Sequence, residues 1–315
     1  RTQDGGLAQG QGNGRENVMF ARSLITAGAL GATCGLLLGC GQSAKGTAPA
    51  AAQQTQASSS AQASQHASGV YTEPLAVDNP MFPLVPGTEF TYHGTIVEGG
   101  ETKEHSVVFT VTDLVKTIGN VRTVVAWDRD FREGGLQEQE LAFFAQDDQG
   151  NVWNFGEYPE EYDNGKFTGA PSTWIRGVGG AYGGIHMLNQ PRTGMHYKEG
   201  LIPAIQFDDV SVISSTGQTN CMSGRCYHQV LVVDETSPND PASGHQIKYY
   251  SPGTGLIRVG ARGGDTQEFL TLAAVRHLSQ AEMTKARAEA LAMDQRAYKV
   301  SKVYRTTKPA EQVLQ

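Results

Sequence analysis

The residues best suited to chemistry form an acidic segment near the middle of the chain. Four carboxylates stand within seven positions, ahead of an Asn-Gly pair: Glu157, Glu160, Glu161 and Asp163. Oxygen donors beside a glycine turn suit Ca²⁺, although the Asp-x-Asp-x-Asp-Gly pattern of a calcium loop is absent. Two carboxyl groups facing each other across a cleft could instead serve a glycosidase, a geometry that adjacency in sequence does not establish. We therefore expect a solvated acidic loop rather than either site.

Aromatic residues surround this acidic segment. They are Trp153, Tyr158, Tyr162, Trp174 and Tyr182. Exposed aromatic side chains anchor protein partners and sugars, because they offer a large apolar face together with a polar edge. The sequence therefore predicts that this region is the contact surface for a ligand or a partner.

Scattered histidines give one further metal candidate. His186 and His196 flank the end of a glycine-rich segment, and Glu199 follows closely. The three could meet across a turn, since imidazole and carboxylate groups are common metal ligands. Solvent-exposed loop histidines are the simpler interpretation, and we predict no metal.

Composition and missing motifs exclude several classes of protein. The chain has 315 residues, with 25 Lys+Arg against 32 Asp+Glu and a net charge of −7. An acidic chain lacks the basic face that nucleic acids require. Gly-x-Ser-x-Gly, the mark of an α/β-hydrolase elbow, is absent, and the glycine-rich run at 177–184 matches neither nucleotide-binding pattern. We predict no cofactor and no nucleic-acid partner, and we favour a non-enzymatic function while leaving catalysis open.

Strand patterns position these residues. Alternating apolar and polar residues begin at Glu89, His105 and Val121, each bounded by turn residues. Asp148 to Asn151 separate two further apolar runs and indicate a hairpin. From residue 157 to residue 189 we expect a long irregular crossover, which in other proteins is often functional.

The order of strand signals recurs about 106 positions later. The matched segments are 87–90 with 194–197, 124–128 with 230–234, 143–144 with 249–250, and 150–152 with 255–257. Four ordered matches at nearly constant offset indicate a duplicated β unit, with chance recurrence of common strand patterns as the alternative. Two such units can cover each other's open edges. We therefore predict an all-β, mainly antiparallel fold over residues 69–275, as a barrel or a sandwich.

Residues 276–315 predict a basic C-terminal helix and tail. Ser279 and Glu282 have the spacing of a capping box, which starts a helix. Small or flexible residues then recur on one face: Met283, Ala286, Ala290, Met293 and Ala297. Such a stripe permits close approach to another surface. We expect it to pack on the β domain, with a partner helix or anionic lipid head groups as alternatives.

Cysteines divide between the two ends of the chain. Cys221 and Cys226 lie between two predicted strands, and in an oxidising compartment this spacing indicates a disulfide that clamps a hairpin. A redox pair or a metal site is the less favoured alternative. Cys40 ends the segment Leu37-Leu-Gly-Cys40, which resembles a bacterial lipobox. It is the predicted lipidation site.

The residues before Cys40 have the pattern of a secretory signal. Met19 to Arg22 form a short basic segment, and an uncharged run reaches Gly39. We take 1–18 as an upstream or non-native segment, 19–39 as the signal peptide, and 40–68 as the lipidated cysteine with a disordered Ala/Gln/Ser tether. An uncleaved anchor helix is the alternative. Gly41 in place of Asp predicts the outer membrane in a Gram-negative host.

Three motifs give a family resemblance. They are Phe82-Pro-Leu-Val-Pro-Gly87 with Tyr92, Phe143-Phe-Ala-Gln-Asp147 continuing to Phe155-Gly-Glu157, and Tyr249-Tyr-Ser-Pro-Gly-Thr-Gly-Leu256. Over residues 81–260 the chain resembles a group of uncharacterised secreted bacterial proteins in which PLxPGTxWxY, YAQDxxGNVWYFGE and YYAPGxGLV recur in this order. Phe90 replaces the motif Trp, and Ser251 replaces an Ala. The resemblance implies the fold and a secreted location and transfers no mechanism.

Together these patterns predict an outer-membrane lipoprotein of the cell envelope that faces the periplasm or the cell surface. The predicted function is non-enzymatic binding of an apolar or carbohydrate ligand by the β domain. An accessory subunit of an envelope protein assembly is the first alternative, and a carboxylate-dependent hydrolase is the second. The membrane is the predicted partner of the lipidated Cys40.

Overall fold

The structure is a computed structural model, and it describes residues 69–313. The predicted upstream segment, signal peptide, Cys40 and tether lie outside the described residues, as do the last two residues of the chain. Within the described part, we find no helix that is long and apolar enough to cross a bilayer.

Antiparallel strands make up most of the described chain, and one α-helix follows the fifteenth strand. The strands are β1 (Thr88–Glu98), β2 (Glu101–Ile118), β3 (Val121–Arg132), β4 (Gly135–Gln146), β5 (Val152–Asp163), β6 (Lys166–Gly169), β7 (Trp174–Ile175), β8 (Tyr182–Gly183), β9 (Ile185–Met187), β10 (His196–Ile202), β11 (Phe207–Met222), β12 (Arg225–Thr236), β13 (His245–Ser251), β14 (Gly255–Arg262), β15 (Thr266–His277) and β16 (Glu311–Gln312). Helix α1 spans Gln280–Val300. The predicted all-β fold with a C-terminal helix is confirmed.

Two meanders form the sheet. Strands β1–β5 pair in sequence, and so do β10–β15. The meanders join where β1 pairs with β15, from Thr88 opposite His277 to Glu98 opposite Thr266. This ladder makes one sheet from two halves.

The four matched sequence pairs occupy strands in equivalent positions of the two meanders: β1 and β10, β3 and β12, β4 and β13, β5 and β14. Gly87 and Gly194 both have positive φ, at 86° and 87°, just before β1 and β10. Their amides donate to Val111 at 2.8 Å and to Ile213 at 2.9 Å in the following strands. The equivalence agrees with a repeat, and an origin by duplication stays a prediction.

The prediction of an irregular crossover over residues 157–189 is wrong in its first part. Residues 157–163 continue β5 and pair with β4, with Ala142 opposite Glu157 and Glu138 opposite Glu161. The carboxylates favour a loop, but both faces of β5 are covered as far as Glu160. Glu157 and Glu160 are therefore buried, at 2% and 0% exposure.

A bridging segment, residues 182–187, lies between the two meanders. Strand β9 pairs with β5, and β8 pairs with β10. Gly184 separates these two strands, and its amide donates to Glu199 at 2.9 Å while its carbonyl accepts from Asn154 at 3.0 Å. A Cβ at this position would lie 2.1 Å from the Lys198 carbonyl oxygen, so only glycine fits between the two backbones.

Side chains on the inner face of both meanders form one apolar cluster. It includes Phe90, Phe109, Phe144, Leu231, Tyr250 and Leu270. Phe82, from the segment before β1, contacts Phe109 and Phe144 with ring centroids 6.4 and 5.3 Å apart. The apolar part of the interior is thus filled by side chains that pack on one another.

Helix α1 covers the outer face of the first meander. Ser279 and Glu282 form the predicted capping box. The predicted stripe of Met and Ala residues is buried and packs with outer-face residues such as Phe143 and Tyr158, which confirms packing on the β domain. Arg287 pairs with Asp113 at 2.5 Å, and Arg296 pairs with Glu160 at 2.8 Å. The helix's basic charge is therefore partly used within the domain.

Lys116, on strand β2, anchors helix α1 to the sheet. It is fully buried, and its ammonium donates to Asp294 at 2.7 Å and to the Lys308 carbonyl at 2.8 Å. Burial lowers the pKa of Lys116, and the charge of Asp294 opposes that effect. Because a buried charge is costly when its partner is removed, this pair fixes the helix on the sheet.

Cys221 and Cys226 form a disulfide, with Cα atoms 4.0 Å apart. They face each other across the hairpin between β11 and β12. The predicted hairpin clamp is confirmed.

We expect Asp294→Ala to lower the free energy of unfolding by about 3–5 kcal/mol, because it leaves the Lys116 ammonium buried without its carboxylate. Urea denaturation measures the loss. The double variant Lys116→Met with Asp294→Ala should recover a substantial part of it. A double variant no more stable than Asp294→Ala alone would show that the ion pair does not anchor the helix.

Candidate functional site

The acidic segment of β5 does not form a single site. Strand alternation places Glu157 in the interior and Glu160 on the side of α1, while Asp163 is exposed at the following turn. Glu161 is half-buried. The expectation of a solvated acidic loop is wrong for Glu157 and Glu160, because each carboxylate has polar partners inside the fold.

Glu160 has a structural role. It accepts hydrogen bonds from Tyr158 at 2.9 Å and Tyr162 at 2.8 Å, and both nitrogens of the Arg296 fork donate to it. Charge-assisted bonds of this kind hold α1 against β5. The two tyrosine hydroxyls predicted to contact a partner are thus occupied inside the domain.

Three of the five aromatic residues predicted to form a contact surface are buried. Trp153, Tyr158 and Trp174 are 3%, 0% and 2% exposed, so the expectation that they are exposed is wrong. Trp153 and Tyr158 belong to the apolar cluster beneath α1, and Trp174 belongs to a smaller apolar cluster. Tyr162 and Tyr182 are half-buried.

Trp153 and Tyr182 nevertheless line a common cleft. It has a volume of about 440 Å³ and lies where the bridging segment meets the hairpin between β4 and β5. The two rings meet edge to face at 6.5 Å. Ile185 and Leu188 extend the apolar side, and the polar lining comprises Asp147, Asp148, Gln149, Asn151, His196 and Lys198. We call this the seam cleft.

The hairpin between β4 and β5 holds the Trp153 ring in place. Its indole N–H donates to Asp147 at 2.7 Å, and the same carboxylate accepts from the backbone amides of Gln149 and Asn151 at 3.0 and 2.8 Å. The Arg176 guanidinium lies 5.1 Å from the centre of the Trp153 ring. The aromatic wall of the seam cleft is therefore fixed before any ligand binds.

His186, His196 and Glu199 occupy three different environments. His186 is buried beside Phe82 and Phe144, with ring centroids 4.3 and 5.2 Å apart. Burial lowers the pKa of His186 well below its ordinary value. His196 is exposed at the seam cleft as expected, whereas the expectation of an exposed His186 is wrong because aromatic rings enclose it.

Buried carboxylates from both meanders extend the interior beyond the apolar cluster. They are Asp128, Asp130, Glu140, Glu157, Glu199, Asp209, Glu235 and Glu268. Lys248 lies among them and pairs with Glu235 at 2.7 Å. We call this group the acidic interior.

Several carboxyl groups of the acidic interior hold their protons near neutral pH. Burial raises the pKa of Asp128 and of Glu157 to about 8, and that of Glu268 to about 7. Neighbouring carboxylates add to the effect, Asp130 for Asp128 and Asp209 for Glu157. Hydrogen bonds oppose it, and Asn154 donates to Glu157 at 2.5 Å. Protonation thus limits the negative charge inside the domain.

His105 joins two of these carboxylates. Its Nε2 lies 2.8 Å from Asp130, and its Nδ1 lies 3.3 Å from Glu268. Burial lowers the pKa of His105, but the hydrogen bond and charge of Asp130 and the charge of Glu268 outweigh it, so the net shift is upward. His105, Asp130 and Glu268 each offer one possible metal-ligand atom, and these three atoms lie within 4.8 Å of one another.

Sequence reasoning missed this trio because its members come from β2, β3 and β15. A signal is present all the same. His105 is in phase with the inward Val107 and Phe109, and Asp130 is in phase with Val124 and Ala126. A charged residue in phase with core residues marks a buried polar group.

No family model matches this chain, and neither does any curated protein. The solved structures that are similar to this chain include the following two. A protein of Bacteroides fragilis, described as exported and as having a YmcC-like fold, is 12% identical with a TM-score of 0.36, over 62% of this chain and 98% of that one. A protein of Parabacteroides distasonis, described as a lipoprotein, is 14% identical with a TM-score of 0.29, over 63% and 99%. Similarity at this level carries no argument about function.

We expect Glu157→Gln to be more favourable to stability, relative to the parent, at pH 8 than at pH 5. A carboxyl whose folded pKa is raised loses its proton more readily in the unfolded chain, so its contribution to stability falls as the pH rises from about 4.5 to about 8. Glutamine keeps an acceptor for Asn154 and removes that penalty. The stability difference between variant and parent should shift in favour of the variant by about 1–3 kcal/mol over this range.

Chemical denaturation at pH 5, 6, 7 and 8 measures this difference. Asp163→Asn, which neutralises an exposed carboxylate on the same strand, is the control and should show no such shift. A constant difference between Glu157→Gln and the parent at every pH would contradict the buried, proton-holding environment.

Proposed function

We propose that this protein is an envelope lipoprotein whose β domain binds a carbohydrate, without catalysis, in the seam cleft. The observation that supports the proposal is the combination, in one open cleft, of a fixed aromatic wall at Trp153 and Tyr182 with a polar rim. A volume of about 440 Å³ lies within the range of small-molecule sites.

The chemistry of the seam cleft suits a sugar. A sugar ring presents one face of C–H groups that packs on an aromatic ring, while its hydroxyls exchange hydrogen bonds with planar amides and carboxylates. Gln149 supplies an amide. Asp148 accepts from Thr72 and Lys198 pairs with Asp208, but a carboxylate can accept about four hydrogen bonds and an ammonium can donate three, so both keep capacity for a ligand. The rim therefore offers both donors and acceptors around an apolar wall.

Neither an apolar ligand in the β interior nor catalysis has comparable support. The apolar side chains of the inner face pack on one another, as the rings around Phe82 do. For a hydrolase, two carboxyl groups would have to face one substrate. Glu157 and Glu160 lie on opposite faces of β5, and Asp147 in the seam cleft is already engaged by Trp153 and two backbone amides.

Anchoring in the membrane forms the second part of the proposal. Its support is the sequence Leu37-Leu-Gly-Cys40 after an uncharged run, followed by a tether with Lys45 as its one charge. Two or three acyl chains on Cys40 would hold the chain firmly, whereas one chain binds only marginally. With Gly41 after the cysteine, we propose the outer membrane as the destination. The β domain would then begin about 30 residues from the lipid.

We expect Tyr182→Ala to weaken carbohydrate binding at least tenfold, because it removes the half-buried ring of the aromatic wall. Trp153 lies in the cleft and serves as a fluorescent reporter during titration with neutral, amino and acidic disaccharides. Tyr249→Ala removes a half-buried tyrosine outside the cleft and is the matched control. Absence of saturable binding by the parent, or equal losses in both variants, would contradict the proposal.

We expect Cys40→Ser to abolish incorporation of labelled palmitate and to release the protein from the membrane fraction. The physical reason is that serine lacks the thiol that accepts the lipid. Cys34→Ser, earlier in the uncharged run, is the control and should leave labelling intact. Labelling that persists in Cys40→Ser would exclude the lipobox assignment.

A further inference from the structure

One imidazole and two carboxylates meet in the acidic interior, far from one another in sequence. His105 comes from β2, Asp130 from β3 and Glu268 from β15. The His105 side chain is fully buried, and those of Asp130 and Glu268 are 8% and 7% exposed. One ligand atom from each lies within 4.8 Å of the other two. The β1–β15 ladder creates this arrangement, since it brings β15 beside the first hairpin.

Each member of the trio has a buried polar atom that lacks a hydrogen-bond partner. These atoms are Nδ1 of His105, Oδ1 of Asp130 and Oε1 of Glu268. An unsatisfied buried polar atom is costly and calls for an explanation such as a water or an ion. Nδ1 of His105 and Oε1 of Glu268 face each other at 3.3 Å without a hydrogen bond, and an ion bound between these two ligand atoms would account for that arrangement.

The partnered atoms of the trio orient the unpartnered ones. Gln246 donates to Oε2 of Glu268 at 2.6 Å, which leaves Oε1 directed toward His105. Nε2 of His105 donates to Oδ2 of Asp130 at 2.8 Å, and this hydrogen bond fixes the imidazole ring. Metal sites commonly hold their ligands by outer hydrogen bonds of this kind.

A second pair in the same interior provides a contrast. Glu235 is matched by the Lys248 ammonium at 2.7 Å, so the fold supplies a cation from its own side chains at that point. At the trio, one imidazole lies between two carboxylates, and the Lys248 ammonium, which donates to Glu235, acts on Glu268 only through its charge. The domain as a whole is acidic, with a net charge of −13 over residues 69–275. A cation bound at the trio would balance both carboxylates in a medium where their charges are weakly screened.

We propose that Nδ1 of His105 and the carboxylate of Glu268 ligate a divalent transition-metal ion of the Zn²⁺ type, while Asp130 holds the imidazole through Nε2. Imidazole with carboxylate is a ligand set for Zn²⁺ and related ions, whereas Ca²⁺ and Mg²⁺ take oxygen ligands alone. Ligands of one Zn²⁺ lie about 2.0–2.2 Å from it, a distance that small side-chain adjustments would allow here. The ion ties β2 to β15 and so staples the two meanders. This site is separate from the seam cleft and does not depend on carbohydrate binding.

The test is a titration of the full chain, stripped with a chelator, with Zn²⁺ alone. Calorimetry gives stoichiometry and affinity, and the thermal unfolding midpoint reports the stapling. We expect one equivalent to bind and the midpoint to rise. Glu268→Gln and Asp130→Asn are nearly isosteric and should each weaken binding at least tenfold. Glu157→Gln, a neutralised carboxylate elsewhere in the acidic interior, is the matched control and should retain the parent affinity within twofold.

X-ray absorption on the Zn²⁺-loaded parent provides a readout that does not depend on whether a variant folds. One imidazole nitrogen among oxygen ligands supports the proposal. Absence of saturable binding by the parent, a zinc environment without imidazole, or undiminished affinity in both Glu268→Gln and Asp130→Asn would overturn it. An equal loss in Glu157→Gln would overturn it as well, because the effect would then follow from total charge.

Discussion

The ladder between β1 and β15 is the contact on which the rest of the structure depends. It joins strands almost 180 positions apart and turns two meanders into one sheet around a shared interior. The Leu278 amide donates to the Gly87 carbonyl at 2.8 Å just beyond the ladder, so the entry to α1 is fixed against the start of β1. The His105–Glu268 contact, the apolar cluster and the position of the helix all follow from this one pairing.

The interior resolves a conflict between composition and burial. An acidic domain that folds around its own carboxylates must neutralise them, and this one does so in three ways. Lys248 supplies positive charge, hydrogen bonds from His105, Asn154 and Gln246 stabilise individual oxygens, and burial keeps Asp128 and Glu157 protonated near neutral pH. Each way costs some stability that a purely apolar core would keep, which suggests that the polar groups serve a purpose beyond packing.

Local patterns predicted much of the fold. Alternation located β1, β2 and β3, the capping box located the start of α1, and the spacing of Cys221 and Cys226 indicated their disulfide. These features depend on neighbours within a few positions, which a single sequence displays. Burial of the acidic segment was missed because its cause is non-local. Arg296 covers Glu160 from a helix 136 positions away, and no local pattern encodes that contact.

The same distinction applies to the candidate site. Trp153 and Tyr182 were predicted as surface residues and do line the seam cleft, but the prediction rested on exposure, which Trp153 lacks. The trio around His105 depends on register across three strands. Only the in-phase placement of His105 and Asp130 among core residues could have indicated their burial.

The bridging segment lies between the seam cleft and the acidic interior. Strands β8 and β9 are two and three residues long, so few backbone hydrogen bonds hold the bridging segment in the sheet. Ile185 faces the seam cleft, and the Gly184 carbonyl holds Asn154, whose side chain reaches Glu157 in the acidic interior. Opening of this segment would allow exchange of water and protons between the seam cleft and Glu157. A ligand seated in the cleft would slow that exchange without touching any interior residue.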